Sequence, residues 1–181
     1  MPKTYPSLGT FTSGQILTAA KMNDVATNIT NIRVPPMCRV FRAAAGTHTS
    51  TGNFQAIAFD TQSLDTEEPG DNMWVVGSAT RITFKTAGVY QVGGIATFAI
   101  NTTGVRAAVI RLNGTTDIAR HDQGSAPSSA INVGLLPHTI YSFAVNDYIE
   151  LYAFQSSGGN LAYSVGTDQL NLYAAWAGQV S

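Results

Sequence analysis

The prolines at positions 35 and 36 divide the chain into two parts of different character. One short helical pattern precedes them, and short runs of β-branched and aromatic residues follow from Met37 onward. Gly, Asn, Asp and Ser interrupt those runs about every 8–15 residues, which is typical of an all-β sandwich or barrel. Because a residue before proline is pushed toward extended geometry, the helix has to end near Val34. We therefore predict an extended arm with one short helix in residues 1–36 and a mainly β domain in residues 37–181.

The helical pattern predicts a helix from about residue 19 to residue 33, with Thr18 as its N-cap. Its apolar residues recur at steps of three, four and three, the spacing of a coiled-coil seam: Met22, Val25, Ile29 and Ile32. A helix of this length is not stable alone in water, so the seam needs cover. We expect the same helix of other copies to cover it, with packing against the chain's own β domain as the alternative. Residues 1–17 favour an extended arm that lies along a partner.

Alternation of apolar and polar residues locates the strands of the β domain, and we expect about eight to ten of the candidates to form. The candidates are 38–43, 54–59, 73–76, 80–85, 88–100, 105–112, 116–121, 130–134, 138–144, 148–155, 161–165 and 169–177. In the longest candidate one face of the strand is shared by Tyr90, Val92, Ala96, Phe98 and Ile100.

Two candidate strands are apolar on both faces. In strand 148–155 aliphatic residues alternate with Tyr148, Tyr152 and Phe154, and in strand 169–177 they alternate with Tyr173. In a sandwich with one core, a neighbouring subunit is the simplest cover for the second apolar face. We therefore predict that these four aromatic residues take part in oligomerisation.

Composition argues against several classes of partner. Charged residues make up 12% of the chain and the formal net charge is -1, so no basic patch for nucleic acid or an anionic membrane is expected. Cys38 is the only cysteine, which excludes a disulfide framework within the chain, and we expect it to be buried and inert. The N-terminus shows no signal-peptide pattern, and no apolar run approaches the roughly 18 residues of a membrane helix.

No constellation of residues suited to catalysis is evident. His48, His121 and His138 are far apart in the sequence, and apart from the adjacent Asp122 none has a partner at metal-ligand spacing. Nucleophile elbows, phosphate-binding loops and His-Glu-x-x-His motifs are absent from the sequence. We therefore predict a protein that is not an enzyme and needs no cofactor, with histidines that are solvated or hydrogen-bonded locally.

One acidic loop is a weak candidate for calcium binding. Its carboxylates are Asp65, Glu67, Glu68 and Asp71. Crowded oxygen ligands suit calcium, but their spacing matches no standard cation loop, so a solvated loop is the favoured interpretation.

Three loops rich in Ser, Gly, Thr and Asn raise the question of sugar binding: 101–104, 122–130 and 155–160. Tyr163 and Phe154 lie near one of them, and polar loops with an aromatic ring can hold sugars by stacking and hydrogen bonding. Ordinary turn composition is the alternative.

Several motifs occur in an order that resembles the complement C1q and tumour necrosis factor-like jelly-roll family, over about residues 40–177. The resemblance begins in residues 59–100, where Arg81-Ile-Thr-Phe84 leads to Thr86-Ala-Gly-Val-Tyr90. It continues in Arg111-Leu-Asn-Gly114, in the strand 143–151 and in the closing strand 170–176. Asn146 stands where the family usually has Gly. The resemblance implies a jelly roll that trimerises through aromatic strand faces, and some trimers of the family hold calcium near their axis.

The N-terminal segment is similar to a second group of proteins. Residues 11–23 read Phe-Thr-Ser-Gly-Gln-Ile-Leu-Thr-Ala-Ala-Lys-Met-Asn, which resembles a segment near the start of tailed-bacteriophage tail, fibre and head-decoration proteins. This resemblance implies a virion component, made in the host cytoplasm and anchored by its N-terminus to other virion proteins.

Together these patterns lead to the hypothesis of a homotrimeric structural protein of a tailed-phage virion. Its arm attaches to the particle, its helix starts the trimer and its jelly roll projects as a knob. We favour a tail fibre or tail tip protein. Whether it also adheres to the host, through a surface glycan, is left open. A capsid decoration protein is the alternative, and a soluble carbohydrate-binding or cytokine-like ligand module is the alternative of another class.

Overall fold

The computed structural model describes residues 3–9, 12–49, 52–67, 70–124 and 132–179. One α-helix, α1 (Ala19–Arg33), precedes the strands, and a short 3-10 turn spans Val76–Ser78. The described strands are β1 (Met37–Phe41), β2 (Thr47–His48), β3 (Gln55–Ala56), β4 (Thr61–Asp65), β5 (Arg81–Thr83), β6 (Gly88–Phe98), β7 (Arg106–Leu112), β8 (Thr116–Gln123), β9 (Val133–Leu135), β10 (His138–Phe143), β11 (Tyr148–Gln155), β12 (Leu161–Ala162) and β13 (Leu170–Gly178).

Two antiparallel sheets pack face to face. The first sheet has the order β10-β6-β13-β1-β4, with β9 also pairing with β6. The second sheet has the order β3-β11-β7-β8, with β5 also pairing with β11, while β2 and β12 form a separate small pair. The chain crosses repeatedly from one sheet to the other, so the expected mainly β jelly-roll sandwich is confirmed.

The core lies between the sheets and follows the predicted alternation along β6. Tyr90, Val92, Ala96 and Phe98 are fully buried there, whereas Ile100 lies beyond the end of the strand and is 43% exposed. The prediction that Ile100 shares this strand face was therefore wrong, because the strand ends at Phe98. Cys38 is buried as expected, and its burial raises the pKa of the thiol.

All but one of the candidate strands overlap an observed strand. The exception is 73–76: Met73 and Trp74 are buried, but the chain then enters the 3-10 turn without joining a ladder. Two observed strands, β2 and β4, had not been predicted. Both are short or largely polar, and β4 is an edge strand, so neither carries the apolar alternation that marks a half-buried strand.

Two turns show how Asn residues set the strand connections. The predicted Asn-Gly hairpin joins β7 to β8 through residues 113–115, where the Thr115 amide donates to the Leu112 carbonyl at 3.1 Å. The two central residues of this turn have positive φ, 51° at Asn113 and 73° at Gly114, which Asn and Gly tolerate best. Asn146 has φ of 72°, in the left-handed region where Gly is the usual residue. Asn tolerates this region better than most residues, so the turn before β11 forms without Gly.

The helix has the predicted bounds and cap. The Thr18 side chain accepts a hydrogen bond from the backbone amide of Lys21 at 3.3 Å. After the helix, the Pro36 carbonyl accepts from the backbone amide of Trp176 at 2.9 Å, and the Thr66 hydroxyl donates to the Pro35 carbonyl at 2.5 Å. The join between helix and sandwich is therefore held by the β domain. No helix in the described ranges has the length and apolar character needed to cross a membrane.

Candidate oligomerisation and attachment surfaces

Most of the predicted helical seam is exposed to solvent, and its N-terminal end adjoins residues 12–17 of the same chain. We call Met22, Val25, Ile29 and Ile32 the α1 stripe. Met22 and Ile29 are each 53% exposed and Ile32 is 63% exposed, while Val25 is half-buried. No residue of α1 is buried. The alternative in which this stripe packs on the chain's own β domain is therefore not what the structure has, and the stripe is available to another chain.

The N-terminal arm, residues 3–9, lies along a polar face of α1. The Asn28 side-chain amide donates to the Pro6 carbonyl at 2.9 Å, and the Asn31 amide donates to the Thr4 carbonyl at 2.5 Å. The Tyr5 hydroxyl donates to the Asn31 carbonyl at 3.4 Å. Because the arm occupies this polar face, it leaves the α1 stripe uncovered.

The same arm ties α1 to the base of the sandwich. The Tyr5 ring stacks on the Trp176 ring with centroids 4.7 Å apart and planes 7° from parallel. The Lys3 backbone amide donates to the Thr86 hydroxyl at 3.0 Å, and that hydroxyl donates to Glu67 at 2.9 Å. The sequence suggested an arm lying along a partner, whereas residues 3–6 contact their own chain. No periodic pattern links Tyr5 to Trp176, so this contact had no signal in the sequence.

The four aromatic residues predicted to oligomerise lie on two opposite faces of the sandwich. Tyr148, Tyr152 and Phe154 alternate with the core residues of β11, so they point outward from the second sheet. Tyr173 is opposite Gly93 in the first sheet and points outward from that sheet. Alternation assigns residues to two faces of one strand, but it does not say which sheets two strands join. The four residues therefore belong to two separate surfaces.

The Tyr173 face is the outward face of the first sheet. Tyr173 lies directly over Gly93, where a Cβ atom would come within 2.5 Å of the Tyr173 hydroxyl oxygen. A shallow cavity of about 220 Å³ lies beside Tyr173, between Ile95 and Leu136. Leu64, Leu136 and Ile140 are 42%, 49% and 68% exposed on this face. Exposed aliphatic side chains around a ring packed on glycine suit contact with another protein surface.

The outward face of the second sheet carries aromatic rings and arginines. Phe54 and Phe154 have ring centroids 5.4 Å apart. The Arg111 guanidinium of β7 lies 4.4 Å from the Tyr152 ring centre and 5.3 Å from the Phe54 ring centre. The Arg120 guanidinium, which belongs to β8, lies 5.4 Å from the Phe54 ring centre. These contacts cover part of the face within the chain itself, so the face is not simply an uncovered apolar surface.

A pocket of about 450 Å³ opens on this face. Its apolar part is formed by Phe54, Phe154, Val105 and Ala107, and its polar groups come from Arg106, Arg120, Asp122 and Gln123. Arg120 is paired with Asp122 at 2.8 Å, which raises the pKa of the guanidinium by hydrogen bonding to the carboxylate. We call this site the aromatic pocket. It brings the first residues of loop 122–130 next to Phe154, as the sugar hypothesis requires, whereas residues 125–130 lie outside the described residues.

Of the other parts of the sugar hypothesis, Tyr163 does not reach the aromatic pocket, whereas loop 101–104 adjoins it through Arg106. Tyr163 packs against the buried Phe98 ring at 5.2 Å and does not line the pocket. Loop 101–104 is closed by Arg106, which is 1% exposed and donates to the carbonyls of Asn101 and Thr103 at 3.3 and 3.0 Å. Its burial lowers the pKa of its guanidinium. Arg106 shares the core-facing side of β7 with Ala108 and Ile110. This alternation in the sequence was a signal that the Arg106 side chain is buried.

The histidine rings contact backbone groups, and the prediction of a solvated or locally bonded ring was wrong for His48. His48 is buried between Phe98 and Tyr163, with Nε2 at 2.8 Å from the Ala153 carbonyl oxygen, and burial lowers its pKa. His121 Nδ1 accepts from the Leu136 backbone amide at 3.0 Å, and His138 Nδ1 lies 3.2 Å from the Leu136 carbonyl oxygen. Two histidines distant in sequence thus meet at one residue, although the described ranges contain no group of side chains placed to hold a metal.

The carboxylates of the acidic loop accept hydrogen bonds from the protein. Asp65 accepts from the backbone amides of Glu67 at 3.1 Å and Met73 at 2.8 Å, so it closes the loop on itself. Glu67 is buried and accepts from Thr86, and burial raises the pKa of its carboxyl. Asp71 is half-buried, and Glu68 lies outside the described residues. In the described part of the loop, the acids therefore serve its internal structure.

Comparison with known proteins reveals likeness in the fold. No family model matches the chain, and no curated protein matches it in sequence. Among solved structures, the globular domain of the zebrafish complement 1qA protein superposes with a TM-score of 0.55 at 11% identity, covering 80% of this chain and 99% of that one. Murine APRIL at pH 5.0 gives 0.58 at 10% identity, with 78% and 98% covered. Eiger TNF from S. frugiperda gives 0.58 at 7% identity, with 81% and 94% covered.

Proposed function

We propose that this chain is a homotrimeric structural component of a tailed-bacteriophage virion, attached through its N-terminal part and projecting its sandwich as a knob. The α1 stripe carries this proposal. It is an exposed apolar seam held at the base of the sandwich. It also overlaps residues 11–23, whose sequence resembles the start of phage tail, fibre and head-decoration proteins.

Two surfaces support self-association. The α1 stripe has coiled-coil spacing, and a short helix of this kind gains stability from copies of itself. The Tyr173 face supplies further apolar surface on the first sheet. A jelly roll resembling C1q and tumour necrosis factor proteins favours three copies around one axis. We therefore propose that the chain associates with two further copies of itself, and we propose no nucleic-acid or membrane partner.

Attachment to other virion proteins falls to residues 12–17 in this proposal. Residues 3–6 are engaged with α1 and Trp176, whereas Ile16 and Leu17 are 83% and 53% exposed. Leu17 lines a groove of about 420 Å³ together with Met22 and Val25. Because Met22 and Val25 belong to the α1 stripe and face other copies in the proposed trimer, Ile16 is the most exposed apolar side chain left for attachment. The protein would be made in the host cytoplasm and reside in the virion, without enzymatic activity or a cofactor.

We place the knob on the tail, as a fibre or tip protein that takes part in host adhesion, because the aromatic pocket offers a binding surface away from the arm. Capsid decoration is the alternative location. Immunogold labelling of phage particles with an antibody against this chain separates the two. Label at the tail supports the proposal, label on the head favours decoration, and particles without label refute the virion role.

Size-exclusion chromatography with light scattering on the full chain tests the trimer. We expect three copies per particle at micromolar concentration. A monomer at every concentration would refute the trimer while leaving the location to the labelling experiment.

A soluble ligand module is the second candidate, because the fold likeness extends to APRIL and Eiger TNF. Such a module would bind cells as a purified protein and would be missing from particles. Flow cytometry of host and animal cells with the fluorescent chain, alongside the labelling experiment, distinguishes the two functions.

A further inference from the structure

The aromatic pocket has a volume of about 450 Å³, within the range of small-molecule sites. Its apolar part is built on strands: Phe154 belongs to β11, Ala107 to β7, and Phe54 directly precedes β3. Ala107 is 3% exposed beneath the rings. A site on adjacent paired strands holds its side chains in place before a ligand arrives.

The Phe54 ring is fixed from two sides. Arg111 and Arg120 place their guanidinium groups 5.3 and 5.4 Å from its centre, and the Phe154 ring lies 5.4 Å away at a tilt of 41°. Cation-π contacts of this kind restrain both the ring and the arginines. Phe154 is left half-buried at the pocket, with part of its ring uncovered.

The charged groups of the pocket already have partners within the chain, and the buried Arg106 at its edge donates to the Asn101 and Thr103 carbonyls. Arg120 pairs with Asp122 at 2.8 Å, and the neighbouring Arg111 pairs with Asp117 at 2.7 Å. Gln123 adds an uncharged amide. An anionic ligand would have to compete with these carboxylates for the arginines, whereas a neutral ligand with hydroxyl groups can accept from the guanidinium and donate to the carboxylate.

We propose that the aromatic pocket binds a neutral saccharide, with the C-H face of a sugar ring against Phe154 and its hydroxyls bonded to Asp122, Gln123 and Arg120. An aromatic ring beside planar polar side chains matches the alternating apolar and polar surfaces of a sugar. This inference deepens the adhesion part of the proposed function and rests on it.

The test begins with the purified full chain on an array of printed oligosaccharides. The neutral probes contain glucose, galactose, mannose, rhamnose or N-acetylglucosamine, and the anionic probes are sialylated or sulfated. The strongest neutral probe is then titrated in solution by isothermal calorimetry. We expect at least one neutral probe to bind and the anionic probes to bind no better than their neutral counterparts.

Two variants place the binding in the pocket. Asp122→Asn removes the carboxylate while keeping the shape of the side chain, and Phe154→Leu keeps apolar bulk while removing the ring. Each should weaken the binding about tenfold or more, the effect of losing one good contact. Asp168→Asn is the matched control: it makes the same change at an exposed carboxylate in the turn before β13, outside the pocket, and should change affinity by less than about twofold.

Thermal melting and light scattering of the variants separate the alternative explanations. Absence of binding to every neutral probe by the folded wild-type chain overturns the proposal, as does binding that Asp122→Asn and Phe154→Leu leave unchanged. Preference for anionic probes also overturns it. If the pocket variants instead change the number of copies in the oligomer, the pocket is a contact between copies of the chain. None of these results affects particle labelling, so the labelling experiment tests the virion role independently of sugar binding.

Discussion

The α1 stripe offers the most direct test of assembly. We consider the double variant Ile29→Ser and Ile32→Ser, which removes two side chains that are 53% and 63% exposed in the single chain. Complete burial of such a side chain contributes about 1.5–3 kcal/mol, so covering the exposed part of both contributes about 2.6 kcal/mol per chain. Over three chains the loss is about 8 kcal/mol, or nearly six powers of ten in the trimer dissociation constant.

The midpoint concentration of trimer dissociation varies as the square root of that constant, so it should rise by about three powers of ten. A dilution series followed by mass photometry and sedimentation velocity measures this shift. Asn23→Ser with Thr27→Ser is the control, because both residues are exposed on α1 outside the stripe. Ile, Asn, Thr and Ser have similar helix propensities, so the two variants perturb the helix itself alike. A midpoint that the stripe variant leaves unchanged would show that these isoleucines are not buried in the oligomer.

Three further predictions concern the stability of the single chain. Tyr5→Ala should lower the melting temperature by about 3 °C through loss of the ring stacked on Trp176, and Tyr5→Phe should restore it; equal melting of the two would exclude the stacking. Arg106→Met should lower it by about 5 °C because the carbonyls of Asn101 and Thr103 lose their donor, and an unchanged value in calorimetry would contradict this role. Burial raises the pKa of Glu67, so the folded chain keeps a proton that the unfolded chain releases, and stability should fall as pH rises from the ordinary glutamate range. Glu67→Gln should remove that part of the slope in denaturant titrations at several pH values, and an identical slope would contradict it.

Local sequence patterns were sufficient to predict the features that depend on neighbouring residues. The bounds of α1 follow from the Thr18 cap and the prolines at 35 and 36, and the β7-β8 hairpin follows from Asn113-Gly114. Strand β6 has enough apolar alternation to reveal its core face. In each case the information lies within a few residues along the chain, where geometry leaves few choices.

Features that depend on distant contacts were not predictable in the same way. Strand β4 is polar at the sheet edge, so its pairing with β1 compensates for weak propensity. The apolar run 73–76 satisfied the strand pattern, yet Val75 and Val76 are 50% and 75% exposed around the start of a 3-10 turn. The aromatic pocket combines Phe54 with residues of the three strands β7, β8 and β11. This arrangement can be predicted only when the register of the second sheet is known.

The position of the arm bears on how the two proposed trimer surfaces work together. Trp176 and Tyr173 both belong to β13 and point to opposite sides of the first sheet, since their partners in β6 are Tyr90 and Gly93. By stacking on Trp176 and bonding to α1, Tyr5 couples the orientation of the α1 stripe to that of the Tyr173 face. Interfaces in a closed trimer have to share one three-fold axis. We infer that the arm sets this alignment, so Tyr5→Ala should weaken assembly more than it weakens folding.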